Sequence, residues 1–301
     1  MTSLDGFLVI DKPKNWTSFD VVAKLRSKTG IRKIGHAGTL DPFATGVLVL
    51  AFNRATTLIE YFQQQEKVYR GRIRLGQVSD SDDLEGHKTT IPVSTPPSDE
   101  SVRLTLARFT GKIMQLPPVY SALKVQGRRM YELARKGQTF ERKPRPVTIH
   151  ALKLLSYAYP YLDLEARVSA GTYIRALARD IGEDLGTGGL LEELVRQRVG
   201  QLTLREAHDL NDISIARLPH LLYPPEIAVE HLMQLIPSSG ELARLAAGQT
   251  IKAPGAVLAR LPETQEVAIV NRAGNLQMIV TYEREANALR RTRLIDTSLA
   301  R

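Results

Sequence analysis

The sequence predicts an α+β fold with a mixed, largely antiparallel sheet and a small β-rich unit toward the C-terminus. Three observations predict it. Segments of period 2 and of period 3.6 alternate without strand–helix–strand regularity. Two apolar runs flank Tyr159-Pro160 as a hairpin. Beyond Pro237-Ser238-Ser239-Gly240 the chain offers only short strands and turn residues. At roughly 150 residues per domain the 301 residues suggest about two domains. We place them at 1–236 and 237–301, with an inserted arm at 117–146.

In order, Gly6–Ile10 is a short apolar strand that ends at Asp11-Lys12-Pro13. Thr17 or Ser18 can cap a helix that carries Phe19, Val22 and Leu25 on one face, and Gly30 can end it. Gly46–Phe52 reads as a buried strand. Lys67–Leu75 alternates Tyr69, Gly71, Ile73 and Leu75 with three arginines, the pattern of a half-buried strand. Three prolines in Ile91–Ser98 mark a surface connection, followed by a helix from about Ser98 to Phe109. Met130–Lys136 is a short helical piece within the arm. Val147–Tyr157 and Tyr161–Ser169 form the hairpin. Thr172–Leu185 reads as a helix, because Ile174, Leu177, Ile181 and Leu185 recur at +3, +4 and +4. Leu190–Val199 is expected to be another helix. Ala256–Leu261, Glu266–Asn271, Leu276–Tyr282 and Leu289–Ile295 are strand candidates.

The chain has no cysteine, which excludes disulfides, thiolate nucleophiles and Cys-bound metals. Its net charge is +9. Residues 101–153 hold twelve Lys/Arg against Glu132 and Glu141, so the surplus is concentrated there and points to a phosphate-rich partner. Met1–Phe7 has no basic leader, and the longest uncharged stretch, Pro42–Asn53, is twelve residues. A soluble cytoplasmic protein is expected, with no membrane association.

Gly35–Gly46 packs three glycines and a proline into twelve residues, so it is a loop. Held between a basic helix and a buried strand, it presents Asp41 and His36. Two readings stand on the residues alone: a rigid loop offering a carboxylate to a site, or a tight turn in which Asp41 caps a local amide. Asp80, Asp82, Asp83 and Glu85 lack a ligand at Leu84 for a calcium loop, and read as a solvated turn. The six histidines show no paired spacing, and there is no phosphate loop, dinucleotide fingerprint or nucleophile elbow. Alone, Arg175 fits a surface ion pair near Asp180, and Tyr69 a core aromatic. In Pro117–Lys124 and Gly127–Tyr131, cations interleave with tyrosines, a combination suited to phosphates and unpaired bases.

Several blocks, in order, resemble the bacterial tRNA pseudouridine synthase B family: Asp11-Lys12-Pro13 with Thr17-Ser18, Gly35–Gly46, Lys67–Arg70, Asp80–Gly86, Pro117–Lys124 with Tyr131–Gly137, and Gly171–Arg175. The match covers most of residues 6–200. Two departures are visible. Asn15 stands where the family usually has Gly, and Arg196-Gln197-Arg198 is a looser form of an Arg-rich segment, expected to touch RNA rather than the reacting atoms.

The resemblance implies a pseudouridine synthase fold and isomerisation of uridine 55 in the T-arm of tRNA, with one catalytic Asp, Asp41, and no metal or cofactor. It implies that Arg175 holds that carboxylate, Tyr69 stacks on the target base, Tyr173 and Leu194 line the uracil pocket, and His36 helps displace the base. The basic arm would close over the T-loop, with Lys124, Arg128 and Arg129 on phosphates. Residues 237–301 resemble a PUA-like RNA-binding accessory domain. The expected enzyme is a monomer that needs no protein partner. A guide-RNA-dependent synthase, a non-catalytic RNA binder and a metal-dependent nuclease are the competing readings. The choice between attack on C1′ and proton removal from C2′ stays open.

Overall fold

The computed structural model describes residues 4–121, 123–125, 127–255 and 265–296. The first half comprises β1 (Gly6–Lys12), α1 (Ser18–Thr29), β2 (Ile34–His36), β3 (Thr45–Phe52), α2 (Ile59–Gln64), β4 (Lys67–Leu75), β5 (Gln77–Ser79), β6 (Lys88–Thr90), α3 (Asp99–Arg108) and β7 (Gly111–Gln115). The arm holds β8 (Lys124–Val125), β9 (Arg128–Arg129) and α4 (Met130–Arg135). Then follow β10 (Arg145–Ala158), β11 (Tyr161–Val168), α5 (Ile174–Asp184), β12 (Gly189–Val199), β13 (Leu202–Thr203) and α6 (Leu218–Leu221). The last elements are β14 (Met233–Leu235), α7 (Ser239–Ala246), β15 (Ile251–Lys252), β16 (Gln265–Val270), β17 (Leu276–Glu283) and β18 (Ala288–Leu294). The predicted strand Ala256–Leu261 lies outside the described residues.

Among the described residues the main sheet runs β1-β3-β12-β4-β11-β10-β7, with β2 on β3 and β13 on β12. Every pairing in it is antiparallel except β12 with β3. The fold class is thus the predicted one, with a mixed, largely antiparallel sheet. A second sheet runs β14-β16-β17-β18-β15. It is seated on the first through Ala268, Val270, Leu276 and Ile279, which share a core with Phe7, Val49 and Phe62. No described helix is long and apolar enough to cross a membrane.

Local signals account for most elements. Thr17 and Asp20 form a reciprocal capping box at the start of α1, and Gly30 closes it in the left-handed region. β4 buries its odd-numbered residues, as its alternation predicts. Asn15, at the position of the family's glycine, has φ 65°, a conformation that Asn tolerates better than most residues.

One element differs in kind. The segment 189–199 is strand β12 rather than a helix, and lies between β3 and β4. A register shift between Leu191 and Glu193 puts an extra residue into the strand. Leu191 and Leu194 therefore enter the same core, and their +3 spacing imitates a helix.

Candidate active site

The loop between β2 and β3 is braced from all sides. Ser18 Oγ accepts from Leu40 N at 2.9 Å. The buried Lys12 donates to the carbonyls of Pro13, Trp16 and Pro42. Asp11 Oδ1 accepts from Gly46 N, and Asn15 N donates to Pro42 O at 2.8 Å. Burial lowers the Lys12 ammonium to about 8, with the Asp41 carboxylate opposing the shift. Three carbonyl acceptors still suit its charged form.

Asp41 projects from this loop toward the first turn of α5. Arg175 grips its carboxylate at two points, Nε–Oδ2 3.0 Å and Nη2–Oδ1 3.1 Å. The arginine side chain is 7 % exposed, whereas that of Asp41 is 31 % exposed. Arg175 also donates to Ser81 O at 2.9 Å and Tyr120 O at 2.8 Å, and lies 3.3 Å from Asp83 Oδ2. A guanidinium saturated in this way holds its partner in one orientation. Burial and the neighbouring Asp83 raise the Asp41 carboxyl above its ordinary value, while Arg175 pulls it down. The surface-pair reading of Arg175 fails because its side chain is buried and Asp180 pairs with Arg179 instead, at 2.7 Å.

Tyr173 precedes α5 and is fixed by Gln115, whose amide accepts from Tyr173 N at 2.9 Å and donates to its carbonyl at 3.1 Å. Burial raises its phenol. Tyr69 is 8 % exposed and shares a core cluster with Leu40, Phe43, Ala44, Ile174 and Leu194. The core reading of Tyr69 holds, and the core that it joins lies beside the Asp41 loop. His36 lies on β2, with Nδ1 buried and without a hydrogen-bond partner. Desolvation, then Arg196, lowers its pKa, which favours the uncharged ring.

Two expectations are overturned. The acidic run is a solvated turn only at Asp80 and Glu85, which are exposed; Asp82 and Asp83 are 7 % and 3 % exposed. Asp82 pairs with Arg179 at 2.9 Å and Asp83 with Arg175, so arginines from α5 drew both acids inward. Burial pushes Asp82 up to about 6. Arg196 is not the surface cation that an RNA contact calls for, because it is buried at 1 % exposure and donates to loop carbonyls. Lys12, Gln115, Asp83 and Arg196 are the site residues that sequence reasoning missed. Only Lys12, a cation ending an apolar strand, carried a local hint.

In the arm, Arg128 borders a cavity of about 1060 Å³ that is also lined by Arg142, Lys143 and Arg145. The side chains of Lys124 and Arg129 lie outside the described residues.

This geometry can be set beside known proteins. The chain is 40 % identical over 284 residues to the tRNA pseudouridine synthase B of Dehalococcoides mccartyi strain CBDB1, covering 93 % of each. The chain belongs to the TruB family of pseudouridylate synthases. The TruB family model for the N-terminal domain matches residues 26–174, which span the Asp41 loop, β4, the acidic run and the arm. A second TruB relative, the tRNA pseudouridine synthase B of Thermobifida fusca, is 40 % identical and covers 92 % of this chain and 98 % of its own length. As a TruB family member the chain is an isomerase of the pseudouridine synthase class. Its fold also matches that of a Cbf5–Nop10–Gar1 complex, with TM-score 0.74 and 23 % identity over 96 % of this chain and 84 % of that one. An H/ACA ribonucleoprotein bound to a substrate RNA gives TM-score 0.73 and 21 % identity over 97 % of this chain and 85 % of that one.

Proposed function

We propose that the protein is a tRNA pseudouridine synthase that isomerises uridine 55 in the T-loop, with Asp41 as the reacting group. The observation that carries the reading is the Asp41 carboxylate, held at two points by a buried arginine while a third of its own surface stays open. A turn-capping aspartate would spend its oxygens on main-chain amides. This one spends them on a guanidinium and keeps a free edge for a substrate.

The chemistry is an atom-balanced isomerisation. The N1–C1′ bond breaks, the uracil turns, C5 bonds to C1′, and the proton leaving C5 is matched by one gained at nitrogen. A charged carboxylate beside C1′ either attacks that carbon or takes a proton from C2′, and both need the fixed orientation that Arg175 supplies. The target base is stacked in folded RNA, so it is flipped out at a cost of a few kcal/mol. Tyr69 then stacks on the base, Tyr173 and Leu194 line the uracil pocket, and His36 helps displace the base. Lys124, Arg128 and Arg129 contact phosphates along the arm. Residues 237–301 act as a PUA-like accessory domain on the same tRNA, and the enzyme works without a protein partner.

The reading is supported by the names of the relatives at 40 % identity. The likeness to the H/ACA ribonucleoprotein and to the Cbf5–Nop10–Gar1 complex rests on 21–23 % identity and speaks for the fold alone. The test is incubation of the protein with unmodified tRNA transcript and no guide RNA, with and without excess EDTA, followed by chemical mapping of pseudouridine. Product at position 55 is expected. Binding without product would make the protein an RNA binder, and strand cutting that EDTA abolishes would make it a nuclease.

A further inference from the structure

We propose that Arg196 is a positioning residue for the reaction: its guanidinium ties the entry of the Asp41 loop to its exit and so fixes where the carboxylate stands. The inference rests on the reading of Asp41 as the reacting group.

Arg196 sits on β12, in register with Gly46 of β3 on one side and Tyr69 of β4 on the other. It is among the largest fully buried side chains described. Nε donates to Val47 O at 2.7 Å, Nη2 to Gly38 O at 3.1 Å and Nη1 to Thr39 O at 3.4 Å. Gly38 and Thr39 precede Asp41, and Val47 follows it. The other braces each hold one point: Ser18 holds Leu40, Lys12 holds Pro42, and Asp11 holds Gly46. At the foot of the loop the two limbs are joined by the β2–β3 ladder and by Ala37 N to Val49 O at 2.8 Å; among the described side-chain hydrogen bonds, only those of Arg196 join them, at Gly38, Thr39 and Val47.

The chemistry of the residue argues the same way. Every acceptor described for this guanidinium is a neutral main-chain carbonyl. A buried cation without a carboxylate partner is costly, and an apolar side chain would fill the space at lower cost. What an apolar residue cannot do is reach three carbonyls at fixed angles. Lysine cannot do so either, because its ammonium is a point charge without a planar fork. Gly46 shows how closely β3 and β12 approach beside this side chain, since a Cβ there would lie 2.3 Å from the main-chain O of Arg196. Buried as it is, Arg196 bonds to the loop rather than presenting its charge at the surface, so the loop is the route by which its hydrogen bonds act on the reaction.

The experiment compares Arg196→Met, Arg196→Lys and Asp41→Asn in the full chain, with unmodified tRNA transcript. It reads the single-turnover rate constant, the tRNA dissociation constant and the melting temperature. A carboxylate displaced by about 1 Å loses on the order of 100-fold in rate, and that loss is expected for Arg196→Met with tRNA affinity unchanged within a few-fold. Arg196→Lys, which retains the charge and part of the bonding, should fall between it and the parent. A wild-type rate in either folded variant overturns the proposal. So does a rate loss matched by an equal loss of tRNA affinity, or failure of both variants to fold, which would make the arginine a folding element only. Persistent activity in Asp41→Asn would instead overturn the reading of Asp41.

Discussion

The Asp41–Arg175 pair is asymmetric, and the asymmetry yields a quantitative prediction. Arg175 is buried and serves Asp41, Asp83 and two carbonyls, whereas Asp41 is a third exposed. Arg175→Met keeps much of the side-chain volume but leaves the Asp83 carboxylate, 4 % exposed, without its cation. Removing one member of a buried pair costs ~3–5 kcal/mol. The unpaired carbonyls of Ser81 and Tyr120 keep the expected loss toward the upper end of that range. In Asp41→Asn, Arg175 keeps Asp83 at 3.3 Å, and the new amide is partly hydrated. We expect that variant to lose less than ~1 kcal/mol, the scale of a solvent-accessible pair. Both should fail to form pseudouridine, and Asp41→Asn should still bind tRNA. Urea unfolding with a shared m-value measures the stabilities, and a single-turnover assay the activity. The reasoning is refuted if Arg175→Met costs under ~1 kcal/mol, or if the two variants are equally destabilised.

Because burial and Asp83 raise the Asp41 carboxyl, activity that needs its ionised form should be lost on acidification at a pH above the ordinary carboxylate value, and Asp83→Asn should move that limb to lower pH; a pH–rate profile that shifts upward would contradict the assignment. Asp82, pushed up to about 6, binds a proton more tightly in the folded state, so its contribution to stability falls as pH rises from about 4 to 6. The difference between the parent and Asp82→Asn in denaturant melts across that window should show this slope. Gly46→Ala meets both φ 98° and a 2.3 Å approach to Arg196 O, and should lose at least ~2 kcal/mol in the same melts. Alanine at Lys124, Arg128 and Arg129 together should weaken tRNA binding and flatten its salt dependence by up to ~0.9 in log–log slope for each phosphate no longer neutralised; an unchanged slope in filter binding would remove these residues from the phosphates.

Residue by residue, the sequence alone determined what depends on near neighbours. The capping box of Thr17 and Asp20, the stop at Gly30, the alternation of β4 and the hairpin around Tyr159-Pro160 were legible because their hydrogen bonds or burial pattern close within a few residues. The loop of Asp41 was legible as a loop for the same reason, and its role came from resemblance over several blocks. The tertiary structure decided the rest. Arg175 meets Asp41 across 134 positions, and Arg196 meets Thr39 across 157. No local pattern tells whether an acid such as Asp83 faces water or a buried guanidinium, because desolvation is repaid only by a partner that the folded chain brings. The bulge in β12 made the same point for the backbone: one inserted residue turned a period of two into a spacing of three, and only the strands on either side show which is true.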